Sequence, residues 1–280
     1  MRVYVSVDME GLAGVAHPLQ TYHDAAHPDR TDYDRSRALM AGEANAAIDA
    51  ALDAGATDVA VNDSHWQMRN LRAEDLRPAA RLVVGDHPFS MTQGIGGTQR
   101  YDAAIFIGYH AGAGHPSGVI AHTYASSVVM EVRVNGVAHN EAGLNALRLG
   151  AHGTPVALVA GDDALAGEVG ALLPWAERVV VKRALGGHLA ESLSPERARQ
   201  EIRDGVGRAL SRLDTMGLHV LEPPLRLEID TRLPVMADYA CVAPGVERTG
   251  PRTIAVECSD AETLYRWLLT LVRLAGVPTV

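Results

Sequence analysis

The residues of this chain best suited to chemistry are carboxylates and imidazoles that fall just past short apolar runs. Asp8 and Glu10 follow the first run at once, in SVDMEG; His65 closes VNDSH after a second run, and His110 closes IGYH after a third. Zinc takes carboxylate oxygen and imidazole nitrogen together at about 2.0–2.2 Å and in catalytic sites keeps a position open. Each placement alone says little. An Asp-x-Glu after a strand is more often a solvated turn, and a His at a strand end is more often a hydrogen-bonded rim residue. Asp63, inside VNDSH, equally suits a turn with its carboxylate on a backbone N–H. With 12 His in the chain, chance placements are expected. The weight lies in three runs that deliver such groups at the same end, because open α/β sheets bind ligands beyond the carboxyl ends of their strands.

The elements that would have to hold these groups are legible as patterns. Residues 3–7, 57–61, 81–84, 103–107, 155–160 and 178–181 are apolar runs such as VAV, LVV and IFI without polar alternation, so both faces are covered. That predicts parallel strands with helices on each side. Residues 33–54 have helical periodicity, with Leu39, Ala47, Ile48 and Leu52 as the buried stripe and Gly55 as the stop; residues 163–173 predict another helix. Residues 127–134 alternate, and Asn135-Gly136 is a hairpin signal leading into Val137-Ala138, read as an antiparallel excursion at one edge of the sheet. After Lys182 the texture changes. Gly186-Gly187 breaks the run, and Ser194-Pro195-Glu196 caps and opens a helix to about 213. Strands at 225–229 and 253–258 and a helix at 261–275 follow. The expected class is α/β: a mostly parallel sheet with helices on both faces over residues 1–185, and a smaller C-terminal α+β two-layer domain over 186–280.

A chain of 280 residues with 47% hydrophobic and 21% charged residues needs no disulfide or metal merely to fold. The formal net charge of −9, from 34 acidic and 25 basic residues, disfavours nucleic acid, whose binding depends on clustered Lys and Arg. Cys241 and Cys258 form no CxxC pair and read as ordinary thiols, so a metal would have to use His and carboxylate ligands. The start MRVYVSV enters a strand directly, and no run of about 20 apolar residues suggests a membrane span. The expected address is the cytoplasm.

The segments SVDMEG (6–11), VNDSH (61–65), GYHA (108–111), a His at 122, NEAGLNA (140–146) and VAGDD (159–163) together resemble the DppA-type D-aminopeptidase family. The resemblance runs along the whole chain and is densest over the first 165 residues. It implies a zinc enzyme that releases an N-terminal D-amino acid from short peptides through a zinc-bound hydroxide. It implies two zinc ions per subunit, held by Asp8, Glu10, His65, His110 and Glu141, with Asp8 bridging them. Three carboxylates bring −3 against +4, which leaves room for a bridging hydroxide. Glu141, just after Asn140, would open a helix, where the macrodipole tolerates a carboxylate. The resemblance gives His122 a catalytic role; the chemistry favours hydrogen bonding to a developing oxyanion, or proton delivery to the leaving amine, over direct attack. Asp63 is expected to orient an imidazole N–H, and His115 to be a loop residue. Rings of five stacked into a decamer are implied in the same way. Two features depart from the family pattern. The 13–32 loop is long and carries His17, His23 and His27, read as solvated, and the His110–His122 spacing is one residue longer.

Two other readings differ in class. The same hydrolysis could act on L-peptides or another small amide. A non-catalytic α/β protein could instead bind a nucleotide, but the first run leads to Asp-Met-Glu-Gly, whose carboxylates would repel phosphate, and GIGG at 94–97 is too isolated to serve as a phosphate loop.

Overall fold

The computed structural model describes residues 1–278 apart from 25, 89 and 96–99, so Gly96 and Gly97 of the GIGG segment lie outside the described residues. The chain runs β1 (Arg2–Val7), α1 (Thr31–Asp53), β2 (Asp58–Asp63), β3 (Ala80–Val83), β4 (Ala103–Ile107), β5 (Val129–Val134), β6 (Val137–Ala138), α2 (Glu141–Ala151), β7 (Val156–Asp162), α3 (Asp163–Leu172), β8 (Glu177–Gly186), β9 (Leu189–Ser192), α4 (Pro195–Ser211), β10 (Leu225–Thr231), α5 (Pro234–Ala240), β11 (Glu247–Arg248), β12 (Thr253–Cys258) and α6 (Ala261–Ala275). One sheet has the order β3-β2-β1-β4-β7-β8-β9 and is parallel except for β9; a second has the order β11-β12-β10-β5-β6 and is antiparallel.

The two-residue period of a strand divides the core of the parallel sheet. Val3, Val5 and Val7 face the layer of α1 and α4, beside Ala44, Ile48, Ile202 and Val206. Tyr4 and Phe106 face the opposite layer, where they meet Ala142, Ala146, Leu165 and Val169 of α2 and α3. Asp8 continues the Tyr4–Ser6 side. Helices on both faces explain why these strands read as continuous apolar runs. In the second sheet, β10 alternates buried and partly exposed residues along its length, as expected where only one face meets a core.

Residues 141–150 of α2 are all buried. Ala142 and Ala146 face the parallel sheet's core, while Leu144 and Leu147 join Val132, Ile229 and Leu268 in the core of the antiparallel sheet. A helix enclosed on all sides has little room to shift, and this one carries Glu141 at its first position.

Two expectations require correction. The hairpin β5–β6 does not extend an edge of the parallel sheet; β5 pairs with β10 in the second sheet, because its single apolar face, Val132 and Val134, needs the core built by α2 and α6. The change of texture near residue 185 is the β8–β9 turn, not a change of sheet: β9 stays in the first sheet, and α4 packs on α1, β7 and β8. The sheets therefore interleave along the chain. The short α5, β9 and β11 were not anticipated.

The loop after β1 is tied down from beneath. Lys182 is buried in β8, and its Nζ donates to the backbone carbonyls of Glu10, Leu12 (3.2 Å) and Val15 (2.5 Å). From α1, Glu43 Oε1 accepts the Ala13 N–H at 2.9 Å. Burial pushes the Glu43 carboxyl up to about 7, against the pull of the Ala13 N–H, Lys182 and Arg199. Between the ordinary carboxyl value and about 7 the folded chain thus holds a proton that the unfolded chain has lost, so stability falls as pH rises through that window. Glu43→Gln should remove this dependence and stabilise the chain by up to about 3 kcal/mol at pH 8. Thermal unfolding of both forms between pH 5 and 8 checks it; parallel profiles would show Glu43 ionising as easily folded as unfolded.

Candidate metal centre

Pairing runs slightly past the three central strands. Asp8 N donates to Ile107 O at 2.8 Å, Ser64 N to Val7 O at 2.8 Å and Gly11 N to Gly108 O at 2.7 Å. This brings the ends of β1, β2 and β4 together at one rim. The approach is too close for side chains: a Cβ on Gly11 would stand 1.8 Å from Tyr109 O, and one on Gly108, at φ +71°, 2.2 Å from Asp8 O. The glycines of SVDMEG and IGYH are thus part of how the acids and imidazoles meet.

Two buried groups result. Asp8, Glu10 and His65 offer ligand atoms within 4.8 Å of one another, as do His110, His122 and Glu141. His65 Nδ1 lies 3.2 Å from Asp8 Oδ1 and 3.0 Å from Glu10 Oε2. His110 Nε2 lies 3.4 Å from Asp8 Oδ2 and 3.6 Å from Glu141 Oε1. Asp8 therefore turns one oxygen to each group and stands between them.

Each imidazole is oriented by a backbone carbonyl. His65 Nε2 donates to Thr21 O at 2.7 Å, His110 Nδ1 to Ala111 O at 3.0 Å and His122 Nδ1 to Ile120 O at 2.9 Å. In the neutral ring, that bond leaves the other nitrogen with a free lone pair aimed at the carboxylates, the arrangement metal-binding histidines use. Glu141 is set by its place at the start of α2, where Asn140 caps the helix by accepting the Gly143 N–H at 2.8 Å, and by the Tyr124 N–H donating to its Oε1 at 2.7 Å.

The electrostatics call for buried positive charge. Burial alone would lower the basicity of His110, but Glu141, Asp8 and Glu10 outweigh it and push the imidazole up to about 10. His65 is likewise raised by Glu10 and Asp8 against its burial. Burial would raise Glu10, yet His65 beside it holds its carboxyl well below the ordinary range. Glu141, farther from its imidazoles, is raised by burial despite His110 and His122. Asp8 Oδ2, Glu10 Oε2 and His110 Nε2 are buried with no hydrogen-bond partner among the described residues. Orphaned donor atoms pointing into one space fit divalent cations, and oxygen with imidazole nitrogen fits zinc.

A cavity of about 930 Å³ opens above this floor, lined by Tyr22, Trp66, His115, His122, Tyr124 and His188 among others. The side chain of His122 is 19% exposed, whereas those of His110 and Glu141 are 1% and 4% exposed. His122 stacks on His110, with ring centroids 4.0 Å apart.

The structure thus brings Asp8, Glu10, His65, His110, His122 and Glu141 together. Of the two roles expected for Asp63, the structure shows the turn-forming one and not the orienting of an imidazole. It accepts from the backbone N–H groups of His65, Asn70 and Leu71 and from the Asn70 side chain, shaping the loop after β2 and touching no imidazole N–H; the Thr21 carbonyl orients His65 instead. His115 Nδ1 accepts from Gly118 N at 3.0 Å and shapes its own loop. His17 caps a short turn, His23 lies against the Tyr33 ring and His27 faces Asp24; they form no further metal-suited group among the described residues. Sequence reasoning missed Lys182, although a lysine closing VVVK was the available sign of a buried charge. The carbonyl of Thr21 carries no side-chain signal at all.

The family model described as D-aminopeptidase, peptidase M55, matches residues 1–270. The D-aminopeptidase of Bacillus subtilis (strain 168) is 38% identical over 282 residues, covering 98% of each chain. The solved structure of the Zn-dependent D-aminopeptidase DppA from Bacillus subtilis, described as a self-compartmentalizing protease, superposes with a TM-score of 0.93 at 34% identity and covers all of both chains. The chain belongs to the M55 peptidase family, the D-aminopeptidases.

Proposed function

We propose that this chain is a zinc aminopeptidase that releases D-amino acids from the N-terminus of short peptides in the cytoplasm. Asp8, Glu10 and His65 would hold one metal and His110 and Glu141 the other, with Asp8 turning one carboxylate oxygen toward each group. The observation that carries this reading is the pair of buried ligand groups joined through Asp8 at the floor of a cavity. Two zinc ions bound there would supply an activated water and polarise the scissile carbonyl.

The remaining work falls to the chain's own groups. His122, whose side chain is the most exposed of the cluster, lines the cavity with its Nδ1–H engaged by Ile120 O and its Nε2 3.9 Å from Glu141 Oε1. It is placed to take up a proton or to give one to the departing amine. The walls around Tyr22, Trp66 and Tyr124 hold the peptide and limit water. Cys241 and Cys258 are unpaired, as suits a reducing compartment, and no described helix is long and apolar enough to cross a membrane. We further propose a homo-oligomer of stacked five-membered rings, a decamer, as the family resemblance implies; the relative's description as self-compartmentalizing supports an enclosed assembly.

Metal analysis of the purified protein, paired with assays on matched D- and L-aminoacyl amides, tests this reading. Two equivalents of zinc and D-selective release are expected; L-selective release would keep the chemistry and overturn the substrate class. His122→Ala should lower kcat at least a hundredfold with both zinc ions retained, and loss of one zinc would make His122 a ligand instead. Because carboxylates keep His110 protonated to about pH 10 in the metal-free chain, zinc must displace that proton. Apparent zinc affinity should keep rising, about tenfold per pH unit for each proton displaced, up to pH 9. A plateau above pH 7 would show the imidazoles already neutral.

A further inference from the structure

Behind the metal-facing side chains lies a second layer of buried polar groups that the reaction does not use. Tyr109 OH lies 2.8 Å from Ser6 Oγ and accepts from Asn145 Nδ2 at 3.0 Å. Ser6 Oγ in turn bonds Ser64 Oγ, which accepts from Asn62 Nδ2 at 2.7 Å. On the other side, Tyr265 OH donates to Asn145 Oδ1 at 2.5 Å and lies 2.5 Å from Tyr124 OH. Ser6, Asn62, Ser64, Tyr109, Asn145 and Tyr265 are each at most 2% exposed.

The members stand in a regular relation to the site. Ser6 precedes Asp8 by two residues on β1, so both side chains lie on one face of the strand. Ser64 and Tyr109 are the immediate neighbours of His65 and His110. Asn145 sits one helical turn after Glu141 on α2, and Tyr124 follows His122 by two residues. Every metal-bearing segment thus contributes at least one group to the web, and Tyr265 adds an anchor from α6 in the second sheet's layer. Tyr124 shows what the web holds in place. It is a non-glycine residue at φ +59°, a backbone costly to keep, yet its N–H reaches Glu141 while its hydroxyl is fixed by Tyr265.

We infer that this web, centred on Tyr109 and Asn145, positions the metal cage by fixing β1, β2, β4 and α2 against one another. The inference rests on the metal reading above. A proton conduit is the competing use of such a chain, but its inner end is Asn62 donating to the Met91 backbone carbonyl at 2.8 Å, which neither stores nor passes a proton. Tyr109 and Asn145 are positioning residues and touch no substrate.

The test uses the full-length chain as wild type, Tyr109→Phe and Tyr265→Phe, each removing a single hydroxyl. Zinc affinity is measured against a competing chelator, the visible spectrum is taken with Co²⁺ in place of zinc, and melting is followed on the metal-free proteins. The expected result is zinc binding weakened about tenfold or more with shifted Co²⁺ bands, measured at a temperature where the metal-free variants are still fully folded, since losing a buried hydroxyl also lowers their melting. Unchanged affinity and spectrum in both variants would overturn the inference. So would a loss of affinity with the Co²⁺ spectrum unchanged, since the web would then hold the fold and not the geometry of the cage. A wild-type chain that binds no zinc would overturn the metal reading and this inference with it.

Discussion

Three carboxylates buried within a few ångströms of one another cannot remain charged unless positive charge is buried with them. Removing an ion from water costs several kcal/mol even after relaxation, and only close counter-charge recovers it. Asp8, Glu10 and Glu141 are in this position, each at most 5% exposed. Protons on His65 and His110 can supply the missing charge in part, and divalent metal can supply it fully. The imidazoles are already held by the Thr21 and Ala111 carbonyls with their other nitrogen aimed inward, so the fold by itself fixes the directions of these candidate ligands.

That constraint accounts for much of the surrounding architecture. The groups come from distant parts of the chain, and they meet because parallel strands end together at one rim. Glycines at 11 and 108 let those ends approach, and Lys182 gathers the carbonyls of the loop that carries Glu10. α2 delivers the third carboxylate from a helix packed between two cores. Its first position is well suited to an acid, since the free N–H groups and the helix dipole favour negative charge there. A mutation far from the metal-facing atoms, in the α2 core or under the 10–15 loop, should therefore reach the site through geometry.

The sequence disclosed the parallel sheet readily, because strands covered on both faces are written as unbroken apolar runs. It also disclosed Asp8, Glu10, His65 and His110, since each sits at the carboxyl end of such a run. Glu141 and His122 gained meaning only from resemblance: one reads as an ordinary helix-starting acid, the other as a loop histidine. The partnership of β5 with β10 was not legible, because alternation tells that a strand has one buried face and not which core it meets. Nor was the role of Asp63, whose turn-forming and ligand-orienting uses look alike until the Asn70 and Leu71 N–H groups are seen to occupy it. Backbone carbonyls that orient imidazoles leave no trace in side-chain identity.

The central claim is that these side chains enclose two metal ions sharing Asp8. Anomalous diffraction from crystals of the zinc-loaded protein, collected on either side of the zinc edge, addresses it most directly. The account predicts two peaks about 3.5–4 Å apart, one against Glu10 and His65, the other against His110 and Glu141, with Asp8 touching both. A single peak, or peaks lying away from Asp8, would contradict it.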